Sequence, residues 1–287
     1  MDRPTLLKTL QLDSFIALDF ETTGLQPEVD RVIEVAAILF KDGEPADRYT
    51  TLVNPGIPIP ELIEKITGIT NNMVADAPSE SSIIDEFFQF MGDIPIVAHN
   101  TPFDLAYLEA MADRHDKKLP DRKYYDTLTL SRGMLYFQPA HNLSAVSDYF
   151  SLSTEGAHRA ESDTENCGQI FVELIEEASS YSLDLISRIV ALLKPFQVHN
   201  KELFINLASA LIKTGDLKNG LTESKIQKPT NINVFIHEGK KDISNRNSTE
   251  VFGPDGDLDQ SYEAYEDRPN QAYFSQFVDD ILTSPGG

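Results

Sequence analysis

The chain has 287 residues, 41% of them hydrophobic and 24% charged, a globular mixture that excludes wholesale disorder and holds one large or two modest domains. Its 46 acidic against 24 basic residues give a net charge of −22, which argues against gripping long duplex through a basic face but leaves room for a short nucleic-acid end held by metal ions. The single cysteine, Cys167, excludes a disulfide framework, Met1-Asp2-Arg3-Pro4 does not open a signal peptide, and no apolar run approaches the roughly 18 residues that span a bilayer, so a soluble, cytoplasmic protein without a membrane partner is expected.

The first domain reads as α/β. Phe15–Glu21 is a β-rich apolar run ended by the turn Thr22-Thr23-Gly24, and Arg31–Phe40 is a second strand. Asp42-Gly43 is a hairpin turn leading into Tyr49–Val53. Ser79 is placed to cap a helix whose core stripe is Ile83, Ile84, Phe87 and Met91. Ile94–Ala98 is a short buried strand, and Pro102 begins a helix running to about Arg114. Helices follow around Leu128–Leu135, Leu143–Phe150 and Arg159–Glu177. Strands first, then alternating helix and strand, predict a mixed sheet flanked by helices. Beyond it, Ser182–Lys194 and Glu202–Thr214 carry helical stripes, stopped by Pro195 and Gly215.

Charge divides the chain into the same pieces. Residues 1–178 hold 13 basic and 31 acidic residues, residues 179–249 hold 10 and 6, and residues 250–287 hold 1 and 9. The expected organisation is a domain over 1–178, a helical extension over 179–217, a polar linker over 218–249 and an acidic end over 250–287. No internal repeat or low-complexity tract is present.

Four carboxylates and one histidine fall where a metal site needs them. Period-two alternation puts Asp19 and Glu21 on one face of the first strand, with Phe20 opposite. Asp104 heads a helical stripe shared with Tyr107, Leu108 and Met111, and Asp163 heads another with Cys167, Ile170 and Leu174. His158 lies five residues before Asp163 in a small-residue loop. Each alone has a structural explanation: a fraying strand, a first-turn acid, a surface histidine. Together, three segments aim hard oxygen donors at the end of the sheet, the donors that Mg²⁺ or Mn²⁺ take. Two such ions about 4 Å apart are the usual clamp for phosphodiester hydrolysis, and a histidine near its ordinary pKa of about 6.5 suits deprotonation of the attacking water.

Phe15-Ile16-Ala17-Leu18-Asp19-Phe20-Glu21-Thr22-Thr23-Gly24-Leu25, Ile96-Val97-Ala98-His99-Asn100-Thr101-Pro102-Phe103-Asp104 and His158-Arg159-Ala160-Glu161-Ser162-Asp163 resemble, in order, the three exonuclease motifs of the DnaQ-like, DEDDh family. The resemblance covers about residues 13–178 and implies a ribonuclease H-like fold. It also implies two Mg²⁺ or Mn²⁺ ions on Asp19, Glu21, Asp104 and Asp163, with His158 as the general base. Thr22, Thr23, Gly24 and Leu25 would face the 3′-terminal nucleotide, and Asn100 and Phe103 would line the same end. Thr67-Gly68-Ile69-Thr70 resembles a family segment near the penultimate base, and Asp126 matches a family acid that is not a ligand, read here as a helix cap.

The acidic end differs. Val251-Phe252-Gly253-Pro254-Asp255-Gly256 and Tyr265-Glu266-Asp267-Arg268-Pro269-Asn270-Gln271 resemble the stretch before the ATP site of DinG-like superfamily 2 helicases, yet the chain contains no G-x-x-x-x-G-K-[ST] loop. The expectation is therefore a metal-dependent 3′→5′ exonuclease acting on a single-stranded or frayed DNA 3′ end, with RNA as the alternative. It is read as the nuclease part of an exonuclease–helicase fusion that works with replication or repair proteins and has no ATP site in this chain. The rival readings are a free-standing proofreading or RNA-trimming nuclease with a partner-binding tail, and a catalytically idle nucleic-acid-binding domain.

Overall fold

The computed structural model describes residues 1–152, 160–215, 220, 221 and 224. Among these residues the elements run α1 (Arg3–Thr9), β1 (Ser14–Thr22), β2 (Val32–Lys41), β3 (Glu44–Leu52), α2 (Glu61–Thr67), α3 (Asn71–Val74), α4 (Glu80–Met91), β4 (Ile96–Ala98), α5 (Thr101–Arg114), β5 (Tyr124–Asp126), α6 (Thr127–Met134), α7 (Leu143–Tyr149), α8 (Ala160–Ser179), α9 (Leu183–Leu193) and α10 (Lys201–Thr214). His158, the expected linker over 218–249 apart from residues 220, 221 and 224, and the acidic end over 250–287 lie outside the described residues. Among the described residues no helix is long and apolar enough to cross a membrane.

The strands form one mixed sheet in the order β3-β2-β1-β4-β5. β1, β2 and β3 are antiparallel neighbours, while β4 pairs parallel with both β1 and β5. Asp42 (φ 52°) and Gly43 (φ 90°) make the β2–β3 turn, where positive φ at both central residues matches the twist of the strands.

β1 and β2 read as continuous apolar runs because they are covered on both faces. On one face, Phe15 and Ala17 pack with Cys167, Ile170, Phe171 and Leu174 of α8 and with Leu6 and Leu7 of α1. On the other, Ile16, Leu18 and Phe20 pack with Ile83, Ile84 and Phe87 of α4 and with Tyr107, Leu108 and Met111 of α5. Gly168 lets α8 lie this close to the sheet, since a Cβ there would overlap the ring of Phe40. In the extension, Ile186 of α9 and Leu203, Phe204, Leu207 and Leu211 of α10 join the core cluster of α1 and α8.

Three helices and a strand appear that the sequence reading does not anticipate. In α1, Asp2 accepts from Thr5 N at 3.0 Å as the cap, and Arg3 reaches Glu173 and Glu176 of α8 at 2.7 Å each. α2 ends at Gly68 in the left-handed region (φ 71°), and α3 is a single turn capped by Thr70. β5 is three residues long and exists through its ladder with β4. β3 also begins at Glu44, ahead of the expected Tyr49.

Candidate active site

β1 outruns β4. The parallel ladder ends at Ala17↔Val97, whereas β1 continues to Thr22 against β2. Past that point one edge of β1 has no strand beside it, and Phe20 N donates instead to Asp104 Oδ1 at 3.2 Å. Alternation places Asp19 and Glu21 on the α8 face beyond Ala17, while Phe20 packs behind against Phe87 at 6.0 Å between ring centroids. Asp19 and Asp104 thus meet where β1 projects from the sheet, with Glu21 two residues further along the same strand.

Asp104 is 3% exposed, in the first turn of α5. The turn into α5 needs Asn100 in the left-handed region (φ 81°), a conformation asparagine tolerates better than most residues. It is held by Asp126, whose Oδ1 accepts from Asn100 N at 3.0 Å and from Leu128 N at 3.1 Å, and whose Oδ2 accepts from Thr129 Oγ1 at 2.5 Å. Asp126 therefore caps α6, as expected, and also sets the start of α5. Asn200 docks on it in turn, accepting from Asp126 N and donating to Asp126 O at 2.9 Å each. His99 bridges Thr127 Oγ1 and His141 O at 2.9 Å each, and burial lowers its pKa.

Asp163 sits half-buried in the first turn of α8. Arg48 of β3 steadies that turn through Glu161 and Glu165 on either side of it, at 2.8 Å each. A fifth acid, Glu34, lies 2% exposed on β2 directly across from Glu21, and its Oε2 accepts from Ala160 N at 3.3 Å. Glu34 belongs to none of the three motifs. Its one visible signal is a lone carboxylate inside the apolar run Val32–Phe40.

The electrostatics tie these acids together. Burial, then the carboxylates of Asp163 and Glu34, push Asp19 up to about 7. Burial, then Asp19, raise Asp104 well above the carboxylate range, against the pull of the Phe20 N–H. Among the described residues no three histidine, cysteine, aspartate or glutamate side chains close into a ready coordination shell. The site is a set of mutually repelling, convergent acids, and like-charged carboxylates stand apart without a cation between them. Their donor chemistry fits a divalent ion: hard oxygens whose ionised forms are disfavoured until positive charge arrives.

The turn expected to meet substrate is mostly tied up in itself. Thr22 Oγ1 and Tyr107 Oη both donate to Gly24 O, at 2.6 and 2.9 Å. Thr23 N donates to Arg31 O at 2.8 Å, and Thr23 Oγ1 donates to Asp30 Oδ1 at 3.1 Å. Gly24 lies against the Asp30 carboxylate, which a Cβ would strike. Thr22 and Thr23 are buried, so Leu25, 79% exposed, is the residue the turn presents outward. Asn100 is exposed, and Phe103 is half-buried against Tyr107, ring centroids 5.1 Å apart.

Residues 16–171 match the family model of the RNase T exonucleases. Over 274 residues, 94% of the chain, the sequence is 29% identical to the 3′-5′ exonuclease DinG of Bacillus subtilis (strain 168) and covers 29% of that protein. It is 33% identical over 224 residues to the PolC-type DNA polymerase III of Thermotoga petrophila, covering 72% of this chain and 16% of that one. The chain thus spans less than a third of the length of these relatives. Among solved structures, the zinc-bound E. coli exonuclease I–single-stranded DNA complex superposes with a TM-score of 0.55 at 17% identity, over 65% of this chain and 46% of that one. A 3′-exonuclease recognising the histone mRNA stem-loop gives a TM-score of 0.50 at 19% identity, over 57% and 81%. These likenesses show that the mixed sheet and its helices form the ribonuclease H-like exonuclease fold.

Proposed function

Because the chain belongs to the RNase T exonuclease family, we propose that it removes nucleotides one at a time from single-stranded or frayed DNA 3′ ends, with Asp19, Glu21, Asp104 and Asp163 holding two Mg²⁺ or Mn²⁺ ions. The observation that carries this reading is the convergence of Asp19, buried Asp104 and half-buried Asp163 where β1 projects from the sheet, with Asp19 raised to about 7 by burial and then by the carboxylates of Asp163 and Glu34. A protein that merely bound nucleic acid would gain nothing from such a cluster, which repels both itself and the phosphates. Bound there, two divalent ions would neutralise the charge that builds on the scissile phosphate and the leaving oxygen.

The remaining chemistry falls to the chain itself. His158, neutral, takes the proton of the attacking water. Leu25 and Phe103 bracket the terminal nucleotide, and Asn100 offers a polar side chain at the same end. Asp126 and Asn200 keep the start of α5 in place, so that Asp104 stays beside Phe20. The DNA polymerase relative favours DNA over RNA as substrate. The likeness to DinG reaches into residues 250–287, which supports reading that end as the beginning of a helicase-like part that would act with other replication or repair proteins.

Matched 5′-labelled DNA and RNA oligonucleotides, incubated with Mg²⁺, Mn²⁺ or EDTA, test the proposal. Shortening from the 3′ end with either metal, faster on DNA, is expected. Equal digestion in EDTA would overturn it.

A further inference from the structure

The loop that carries the candidate substrate turn also walls a cavity. Arg31 is fixed to the turn by its backbone, receiving the N–H of Thr23 at 2.8 Å and donating its own to Thr23 Oγ1 at 3.0 Å. Arg31 lines a cavity of about 370 Å³ together with Asn54, Ser79, Ser81, Arg114 and His115. Two arginines and a histidine in one recess stand out in a chain with 46 acids against 24 basic residues.

The charge inside this recess does not cancel. Glu80 is the only carboxylate in its lining, and it is fully engaged. Arg114 grips it fork to fork at 2.8 Å on both oxygens, and His115 Nε2 adds a contact at 2.9 Å. The remaining Arg114 nitrogen, Nη1, donates to Pro27 O at 3.0 Å and so binds the end of α5 to the substrate loop. Arg31 has no such partner. Its Nη1 donates to Asp30 O at 2.8 Å, and among the described residues no carboxylate lies within salt-bridge distance of it. A half-buried guanidinium is thus held at the rim of a polar recess with most of its donors unused. Ser79 and Ser81, their hydroxyls 2.9 Å from each other, line the same cavity, as does Asn54, whose amide donates to Ala75 O at 3.0 Å and accepts from Gly56 N at 2.9 Å.

A planar fork of N–H donors in a recess that also holds small hydroxyls is matched by a tetrahedral oxyanion. Because Thr23 and Arg31 are hydrogen-bonded to one another, this recess adjoins the turn that the exonuclease reading assigns to the terminal nucleotide. We propose that the cavity is a phosphate subsite of the exonuclease, in which Arg31 holds a backbone phosphate of the substrate strand upstream of its 3′-terminal nucleotide. This rests on the exonuclease reading and gives it a means of holding a strand in a domain that is otherwise acidic.

The test separates strand binding from bond cleavage. Binding of a 5′-labelled oligo(dT) 12-mer is measured in EDTA across a salt series for the wild type, Arg31→Ala and Arg31→Lys, and hydrolysis of the p-nitrophenyl ester of thymidine 5′-monophosphate is measured with Mn²⁺. The expected result is a Kd about tenfold weaker for Arg31→Ala and largely restored in Arg31→Lys, with a salt slope lower by about 0.7, one phosphate contact on a single strand. Ester hydrolysis, which needs no upstream phosphate, should stay within about twofold. A walk of single methylphosphonates along the 12-mer should find one position that weakens the wild type but not Arg31→Ala. Unchanged oligonucleotide binding in the folded Arg31→Ala protein, or no such position, overturns the subsite. Inorganic phosphate that binds in an Arg31-dependent way without competing with the 12-mer shows a free-anion site and overturns it too. A wild type that binds the 12-mer through Arg31 but leaves the ester intact contradicts the exonuclease reading and upholds the phosphate contact.

Discussion

Replacing Asp19 by Asn should make the metal-free protein more stable at pH 8 while destroying the nuclease. Asp19 has an ordinary pKa of 3.8 and is pushed to about 7 by burial and by the carboxylates of Asp163 and Glu34. An acid raised in this way favours the folded state only while it is neutral. The benefit is complete below about pH 4 and is lost as pH rises through about 7. At about 1.4 kcal/mol for each tenfold change in the proton equilibrium, the cost at pH 8 is capped near 4 kcal/mol. Coupling among the acids and partial solvent access cut this to about 1–2 kcal/mol. Asparagine keeps the shape without the charge, so Asp19→Asn should melt about 5 °C above wild type at pH 8 in EDTA, and nearly level with it at pH 4.5. Adding Mn²⁺ should raise the wild-type Tm and leave the variant's unmoved, since an ion binding only the native state stabilises it. Thermal unfolding followed by circular dichroism at the two pH values reads all of this. A variant no more stable than wild type at pH 8, or one with the same advantage at both pH values, would refute the reasoning that the acids repel one another.

Three further outcomes are expected. His158→Ala should lose about 10²–10⁴-fold in rate, and the rise in rate between about pH 6 and 7.5 should flatten, as read from pH–rate profiles. Glu34→Ala leaves the buried N–H of Ala160 without its acceptor and should cost about 1–3 kcal/mol in denaturant unfolding, whereas Glu34→Gln, whose amide oxygen can still accept, should recover most of it. Asp126→Ala removes three accepted hydrogen bonds and frees the turn into α5, so both stability to urea and kcat should fall, the latter equally on long and short substrates.

The strands and the longer helices are legible because period and caps agree. Ile83, Ile84, Phe87 and Met91 fill the face that their spacing assigns, Ser182 caps α9, and Gly215 ends α10 with a left-handed residue. α1 carries its own signals in Asp2, Pro4 and the buried pair Leu6 and Leu7, but seven residues near a terminus give too short a period to stand out. β5 is strand only because β4 lies beside it, a fact of tertiary pairing that no local window contains. The same limit hides Glu34. Cross-strand register, not spacing along the chain, puts it opposite Glu21 and beneath the start of α8. The cationic recess at Arg31 is equally invisible along the sequence, because Arg31, Asn54, Ser79 and Arg114 come from four separate segments. What the spacing does reveal is the meeting of Asp19, Asp104 and Asp163, since each heads or ends an element whose apolar face is unambiguous.

The central claim, that convergent acids at the end of β1 make a 3′→5′ exonuclease, is tested most directly by Asp104→Asn on a 5′-labelled single-stranded 20-mer in Mg²⁺. Asp104 reports on the cluster because it is 3% exposed and bonded to Phe20 N, so its amide can keep the fold while losing the charge. The wild type should give a ladder of products shortened one nucleotide at a time from the 3′ end. The variant, folded and with a thermal transition no lower than wild type at pH 7, should give a loss of about 10³-fold or more, the scale expected when two-ion positioning fails. A variant that digests the 20-mer at the wild-type rate, or a wild-type ladder that persists in EDTA, would contradict the account.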